Sequence, residues 1–206
     1  ESYSFASTML RVYRAYEEAC ERGGMVDFAE LLLRAHELWL KNPELLAHYR
    51  KIHLFDVDLP DGTKLLESET VEPGTDTVVA DAPFGKVGLS VCYDLRFPEL
   101  YRRLVDDGAI ALAIPAAFTL TTGKDHWHVL LRARAIEQQC YVLAAAQTGH
   151  HHGRRHSYGH ALIVDPWGTV LAECGEGEGV AVAPIDPEYV QRVRRAIPSL
   201  AHRRLG

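Results

Sequence analysis

The chain has no apolar run near the roughly 20 residues that a helix needs to cross a bilayer, so no membrane span is expected. Its opening, ESYSFASTML, lacks a basic stretch followed by an apolar one, and no secretory leader is expected there. Cysteine is scarce and scattered. Cys20, Cys92, Cys140 and Cys174 have neither metal-site spacing nor that of a disulfide framework, which points to a reducing, cytoplasmic setting. Positive charge is outweighed: 22 Lys and Arg against 28 Asp and Glu leave a net charge of −6, with no general attraction to nucleic acid or anionic membranes. There is no GxxxxGK followed by Ser or Thr, and no Asp-Glu strand motif for Mg²⁺, so ATP hydrolysis has no residues to carry it. Repeats and low-complexity linkers are missing too. What remains is 206 residues, 47% of them hydrophobic, enough for one sizeable α/β domain or two small ones.

Two textures divide the chain. Residues 1–48 read as helix. Phe5, Met9, Val12, Tyr16 and Cys20 form one apolar stripe, Gly23 and Gly24 stop it, and Phe28, Leu32, Ala35 and Trp39 form a second stripe behind Asp27 and Glu30. Asn42-Pro43 opens a short third helix. Residues 49–206 alternate. GKVGLSVCYD reads as a strand ending in a polar loop, PELYRRLVDDG as a helix, AIALAIPAA as a buried strand. DHWHVLLRARAIEQQ reads as a long helix capped by Asp125, with Val129, Ala133, Ile136 and Cys140 as its apolar stripe. YVLAAAQTG, HALIVDPWG, TVLAECG and GVAVAPID read as further strands, which together predict a layered α/β domain with a mixed sheet.

Cys92 lies at the carboxyl end of the first buried strand, where α/β proteins bind ligands. That position suits a small core residue as well as a nucleophile, since free cysteine is often buried. A nucleophilic thiol must be a thiolate, and Lys51 and Arg96 are the candidate cations that would lower its pKa. Lys51, Glu67 and Arg96, taken singly, also fit a solvated surface. His150, His151, His152, His156 and His160 form a His-rich stretch without a Cys or carboxylate to complete a ligand set, so a loop with adventitious metal affinity is expected rather than a structural or catalytic metal site.

Five blocks in order, YRKIHLFDVDLP, LLES, GLSVCYDLRFPELYRRL, PAAFTLTTGKDHWHVLLRARAIEQQCYVLAAAQTG and SYGHALIVDPWGTVLAE, resemble the nitrilase superfamily of carbon–nitrogen hydrolases. The ω-amidase and deaminated-glutathione amidase branch is the nearest in pattern. The resemblance covers residues 49–206 and implies a nitrilase-like α-β-β-α sandwich, here lacking its first strands and preceded by a helical hairpin. It implies Cys92 as nucleophile, Lys51 beside it and Glu67 holding Lys51. The backbone N–H of Tyr93 would serve the oxyanion, and Arg96 and Phe118 would line the substrate pocket. It implies a small amide substrate, a thioester intermediate, no cofactor, no metal, and a homo-oligomer.

Residues 5–50, which include VYRAYEEACERGGMVDFAELLLRAHELWLKNPELLAHYR, resemble a helical segment of UvrD/Rep-type DNA helicases. The chain thus reads as a fusion of two fragments joined near residues 48–51. The nitrilase family's general-base Glu comes from a strand–loop upstream of the Lys, whereas Glu17, Glu30, Glu37 and Glu44 fall on helices. Impaired catalysis is therefore expected. The alternative is a non-catalytic fusion or helicase-derived fragment associated with nucleic acid, which salt-dependent binding to single-stranded DNA would reveal.

Overall fold

The computed structural model describes residues 47–58, 64–151 and 155–205. The chain divides into two units, Glu1–Leu45 and Leu46–Gly206, and the second contains every described residue. The helices and carboxylates expected within residues 1–46 lie outside the described residues.

A short antiparallel pair, β1 (Asp56–Asp58) and β2 (Lys64–Leu66), leads into a 3-10 turn at Glu67–Glu69. The main sheet follows. β3 (Val79–Ala82) and β4 (Gly85–Leu89) form a hairpin, and β4 then pairs in parallel with β5 (Ala111–Ala113), which pairs in parallel with β6 (Tyr141–Ala144). Helix α1 (Pro98–Asp106) connects β4 to β5, and α2 (Leu120–Gln138) connects β5 to β6. Parallel neighbours need such crossovers. A small hairpin, β7 (Thr148–His150) with β8 (His156–Tyr158), stands apart from the sheet. β9 (Leu162–Val164) and β10 (Val170–Glu173) extend the main sheet antiparallel, giving the order β10-β9-β6-β5-β4-β3. Helix α3 (Pro187–Ala196) follows, capped by Asp186, whose carboxylate accepts from the Glu188 N–H. The expected mixed sheet is present.

The core explains the helix faces. Pro98 sits at the first position of α1, where its missing N–H is no loss, and Leu100, Tyr101, Leu104 and Val105 turn inward. In α2 the buried residues are Gly123, Trp127, Leu131, Arg134, Ala135 and Gln138. This corrects the expected stripe: Val129 is 65% and Ile136 50% exposed. Steps of four and three keep Val129, Ala133 and Ile136 on one face, but it is the face opposite the buried Trp127 and Leu131. The helix also starts earlier than expected. It opens at Leu120 behind Thr119, so Asp125 is an exposed interior residue rather than the cap. Gly123 is there for space: a Cβ on it would lie 2.3 Å from Tyr158 Cβ.

One expected strand is missing. Residues 179–185, GVAVAPI, form no strand, and Val180 and Val182 are 87% and 80% exposed. Alternating valines favour extended backbone, but a strand also needs a neighbour to take up its N–H and C=O groups, and none of the described residues pairs with this segment.

Cys140, just past α2, is fully buried, and burial pushes its thiol up to about 12. The thiol therefore stays neutral in the fold while ionising near 9 once unfolded. Its stabilisation is full below pH 9 and is lost as the pH rises toward the folded value. Urea midpoints should fall between pH 9 and 10, with Cys140 contributing up to about 1.4 kcal/mol per pH unit. Cys140→Ala should flatten that slope.

Candidate active site

β4, β5 and β6 are parallel and in register, so their carboxyl ends share one edge, the usual ligand edge of an α/β sheet. Beyond β4 the chain turns sharply. Cys92 has a φ of +50° and opens a 3-10 turn, Cys92–Arg96. A non-glycine residue in this left-handed region costs on the order of 1–3 kcal/mol, so the surroundings must hold it. The Cys92 N–H donates to the Pro115 carbonyl at 2.8 Å. From α2, the buried Arg134 donates through Nε and Nη2 to the Leu95 carbonyl at 3.1 and 2.8 Å.

Asp94, in the same turn and fully buried, ties the turn to the segment carrying Lys51. Its Oδ2 accepts from Tyr49 Oη and the Val91 N–H, both at 2.9 Å. Its Oδ1 accepts from the His53 N–H at 3.0 Å and faces His53 Nδ1 at 2.8 Å. Opposite a carboxylate, that nitrogen is assigned the proton. The His53 ring stacks on Phe97 with centroids 3.7 Å apart. Burial first, and then the Asp94 charge, push the Tyr49 phenol well above its ordinary pKa, so it stays a donor. From the other side, the Gly74 N–H donates to the Lys51 carbonyl at 2.8 Å, with no room for a Cβ beside Arg50. Lys51 Nζ lies 2.5 Å from Glu67 Oε2, which also accepts from the Phe55 N–H at 2.6 Å.

Tyr49, His53 and Asp94 received no role in the sequence reading. The signal is present in YRKIHLFD and CYDLRF: polar side chains at the end of an apolar strand need partners. Sequence order, however, does not say that these three are each other's partners.

Cys92 feels two opposed influences. Burial raises its thiol pKa, while the Lys51 charge and a hydrogen bond from the Ala117 backbone lower it; Glu67 and Asp94 add smaller upward pushes. Burial wins. This corrects the expected depressed pKa: the resting thiol is protonated, and a base must take its proton before attack.

Beside the thiol is a small cleft of about 10 Å³ lined by Cys92, Tyr93, Arg96, Phe118, Thr119 and Thr122. The Arg96 guanidinium lies 5.2 Å from the centre of the Phe118 ring and 5.9 Å from that of Tyr93, with both terminal nitrogens 3.3 Å from His126 Nδ1. Among the described residues no carboxylate pairs with it. Phe118 is buried against Trp127, centroids 5.0 Å apart. Tyr93 is the second residue of the turn, a position whose N–H has no intrahelical acceptor.

The His-rich stretch divides. His150 and His156 face each other across the β7–β8 hairpin. His160 instead meets His128 and Glu173, the one convergent group of metal-ligating side chains among the described residues. A carboxylate therefore does join the histidines, contrary to the sequence reading. None of the three lines the Cys92 cleft. Among the described residues no helix is long and apolar enough to cross a membrane.

A family described as "Carbon-nitrogen hydrolase" matches residues 23–195, so the match includes part of the segment that resembles a helicase. The chain is 57% identical over 164 residues to a deaminated glutathione amidase of Synechocystis, covering 79% of this chain and 60% of that protein. It is 49% identical over 185 residues to the human deaminated glutathione amidase, covering 89% and 57%. The chain thus spans about 60% or less of these relatives' length. Among solved structures, NitFhit of C. elegans superposes with a TM-score of 0.73 at 52% identity, covering 77% of this chain and 39% of that one. Nit3 of Saccharomyces cerevisiae, a member of branch 10 of the nitrilase superfamily, gives 0.69 at 40% identity, covering 79% and 56%. The α/β fold is that of the nitrilase superfamily, and the chain belongs to the carbon-nitrogen hydrolase family.

Proposed function

We propose that the chain hydrolyses the carbon–nitrogen bond of a small amide through Cys92. The observation that carries this reading is a cysteine on a strained turn, under the influence of a lysine fixed by Glu67. The thiolate attacks the amide carbonyl, forming a C–S bond. The C–N bond then breaks and the nitrogen leaves as ammonia, taking up the proton that the thiol gave up. Water hydrolyses the thioester and frees the thiol. Lys51 stabilises the thiolate and, with the Tyr93 N–H, the tetrahedral oxyanion. The substrate reading is an ω-monoamide of a dicarboxylic acid or deaminated glutathione. Two things support it: Arg96 in the cleft without a carboxylate partner among the described residues, and relatives named deaminated glutathione amidase.

The same reading includes slow turnover. A positioned acid/base contributes roughly 10²–10⁴-fold. The two carboxylates that bear on Cys92 are already engaged, Glu67 by Lys51 and Phe55, and Asp94 by four donors. The test is ammonia release, with Cys92→Ala as the blank. Slow release that this substitution abolishes is expected. Release that survives it would remove Cys92 from the mechanism. Turnover on the order of 1–10 s⁻¹ would show that another residue supplies the base.

Arg96→Lys should cut the preference for carboxylate-bearing amides over neutral ones by about tenfold, since a forked donor becomes a point charge. Calorimetric titration of both amide classes into both proteins checks it.

A homo-oligomer is part of the proposal. The outward residues Val129 and Ile136, with Trp167 at 54% exposure, give an apolar face in need of cover. A reducing, cytoplasmic setting is inferred from Cys92, Cys140 and Cys174 being free thiols. The helicase-like reading of residues 5–50, and with it a fused chain, stands as a separate proposal; sequencing codons 45–55 in an independent clone tests it.

A further inference from the structure

We propose that His128, His160 and Glu173 form a binding site for a divalent transition-metal ion, best suited to zinc. The three come from different elements: His128 from α2, Glu173 from the end of β10, and His160 from the link between β8 and β9. Their ligand atoms lie within 4.8 Å of one another. Glu173 Oε1 is 2.9 Å from His128 Nε2 and 2.7 Å from His160 Nδ1. Tetrahedral zinc with bonds of about 2.0–2.2 Å sets its ligands roughly 3.3 Å apart, so sub-ångström side-chain shifts would admit the ion. Two imidazoles and one carboxylate are a zinc donor set that leaves a fourth position for water.

The surroundings fix the ligands. The Tyr158 ring stacks on His160 with centroids 4.3 Å apart and meets His128 edge-on at 5.9 Å. Trp127 Nε1 donates to the His160 carbonyl at 2.8 Å. His160 itself is in the left-handed region, with a φ of +59°. The histidines are 30% and 19% exposed and Glu173 34%, enough for entry and for a bound water. His160 also lines a second cavity of about 260 Å³, together with Gln147, Thr148, Cys174 and Glu178. A bound ion would tie α2 to the β9–β10 end of the sheet. The imidazole protons now facing Glu173 would move to the opposite ring nitrogens, so binding to neutral histidines releases no proton.

The test uses the full chain without a polyhistidine tag. Zn²⁺ is titrated in competition with a chromophoric chelator, and Co²⁺ is used for its spectrum. One Zn²⁺ per chain is expected. Glu173→Gln, His128→Gln and His160→Gln should each weaken binding at least about tenfold. A loop variant, H150N/H151N/H152N/H156N, should change it less than about threefold. The Co²⁺ spectrum should show nitrogen and oxygen ligands with no thiolate charge-transfer band. At a hundredfold excess over Kd, Zn²⁺ should raise Tm by about 5–10 °C in the unmutated chain and not in Glu173→Gln. Circular dichroism confirms that each variant is folded, and any one of the three ligand variants suffices. Loss of binding in the loop variant but not in the ligand variants would overturn the proposal. So would a thiolate band from Cys92 or Cys174, or the absence of stoichiometric binding.

Discussion

Lys51→Met should slow acylation of Cys92 by roughly 10²–10³-fold, the typical effect of removing one donor aimed at developing charge. The same substitution removes the principal electrostatic influence that lowers the Cys92 pKa. Burial and the Glu67 and Asp94 charges then act unopposed by Lys51, so the thiol should titrate at a higher pH than before. Alkylation by iodoacetamide separates this from substrate binding, because it needs only thiolate. With peptide mass spectrometry as the readout, the rate at Cys92 should rise with pH in both proteins, and the rise should be displaced upward in Lys51→Met. Glu67→Gln is the companion variant: it leaves the lysine charge but loosens its anchor, so the alkylation profile should move little while acylation falls. An unchanged pH profile in Lys51→Met would separate Lys51 from the thiol.

Asp94→Ala is expected to cost about 3–5 kcal/mol of stability, the usual penalty for breaking a buried charged network, together with roughly 10²-fold in acylation from loss of placement. Four donors lose their acceptor at once: Tyr49 Oη, the His53 N–H and Nδ1, and the Val91 N–H. Two of the contributing residues flank Lys51, so the segment carrying the cation comes loose from the turn carrying the nucleophile. Denaturant midpoints report the first effect and ammonia release the second. Asp94→Asn keeps the shape and part of the acceptor capacity and should recover part of both. A variant with full stability would show that the network contributes little, and one with full acylation would show that Lys51 is placed by Glu67 alone.

These residues also show how far the sequence could be read. The strand–helix–strand order from β4 to β6 was legible because apolar runs and helix periods alternate cleanly over residues 85–144. The pairing of Lys51 with Glu67 was legible only through family resemblance, since a separation of 16 positions carries no local signal for it. The inward face of α2 was misread. Val129 and Ile136 are as apolar as Leu131, and only the packed neighbours decide which side turns inward. Asp94 and Glu173 were out of reach for a common reason: each acts through residues between 13 and 45 positions away, contacts that topology creates and spacing does not. The sign of the Cys92 shift was misjudged because a nearby cation is visible in a sequence, whereas the depth of burial opposing it is not.

The bare segment at residues 179–185 has a bearing on handling. Its two valines are exposed to water, and its main chain has no sheet partner among the described residues. Such a stretch is a template: another molecule can add to it strand by strand, and alternate apolar side chains favour that addition. The first route by which concentrated preparations lose material should therefore be self-templating through this segment and not unfolding of the core, and fresh, dilute protein should behave differently from stored stock.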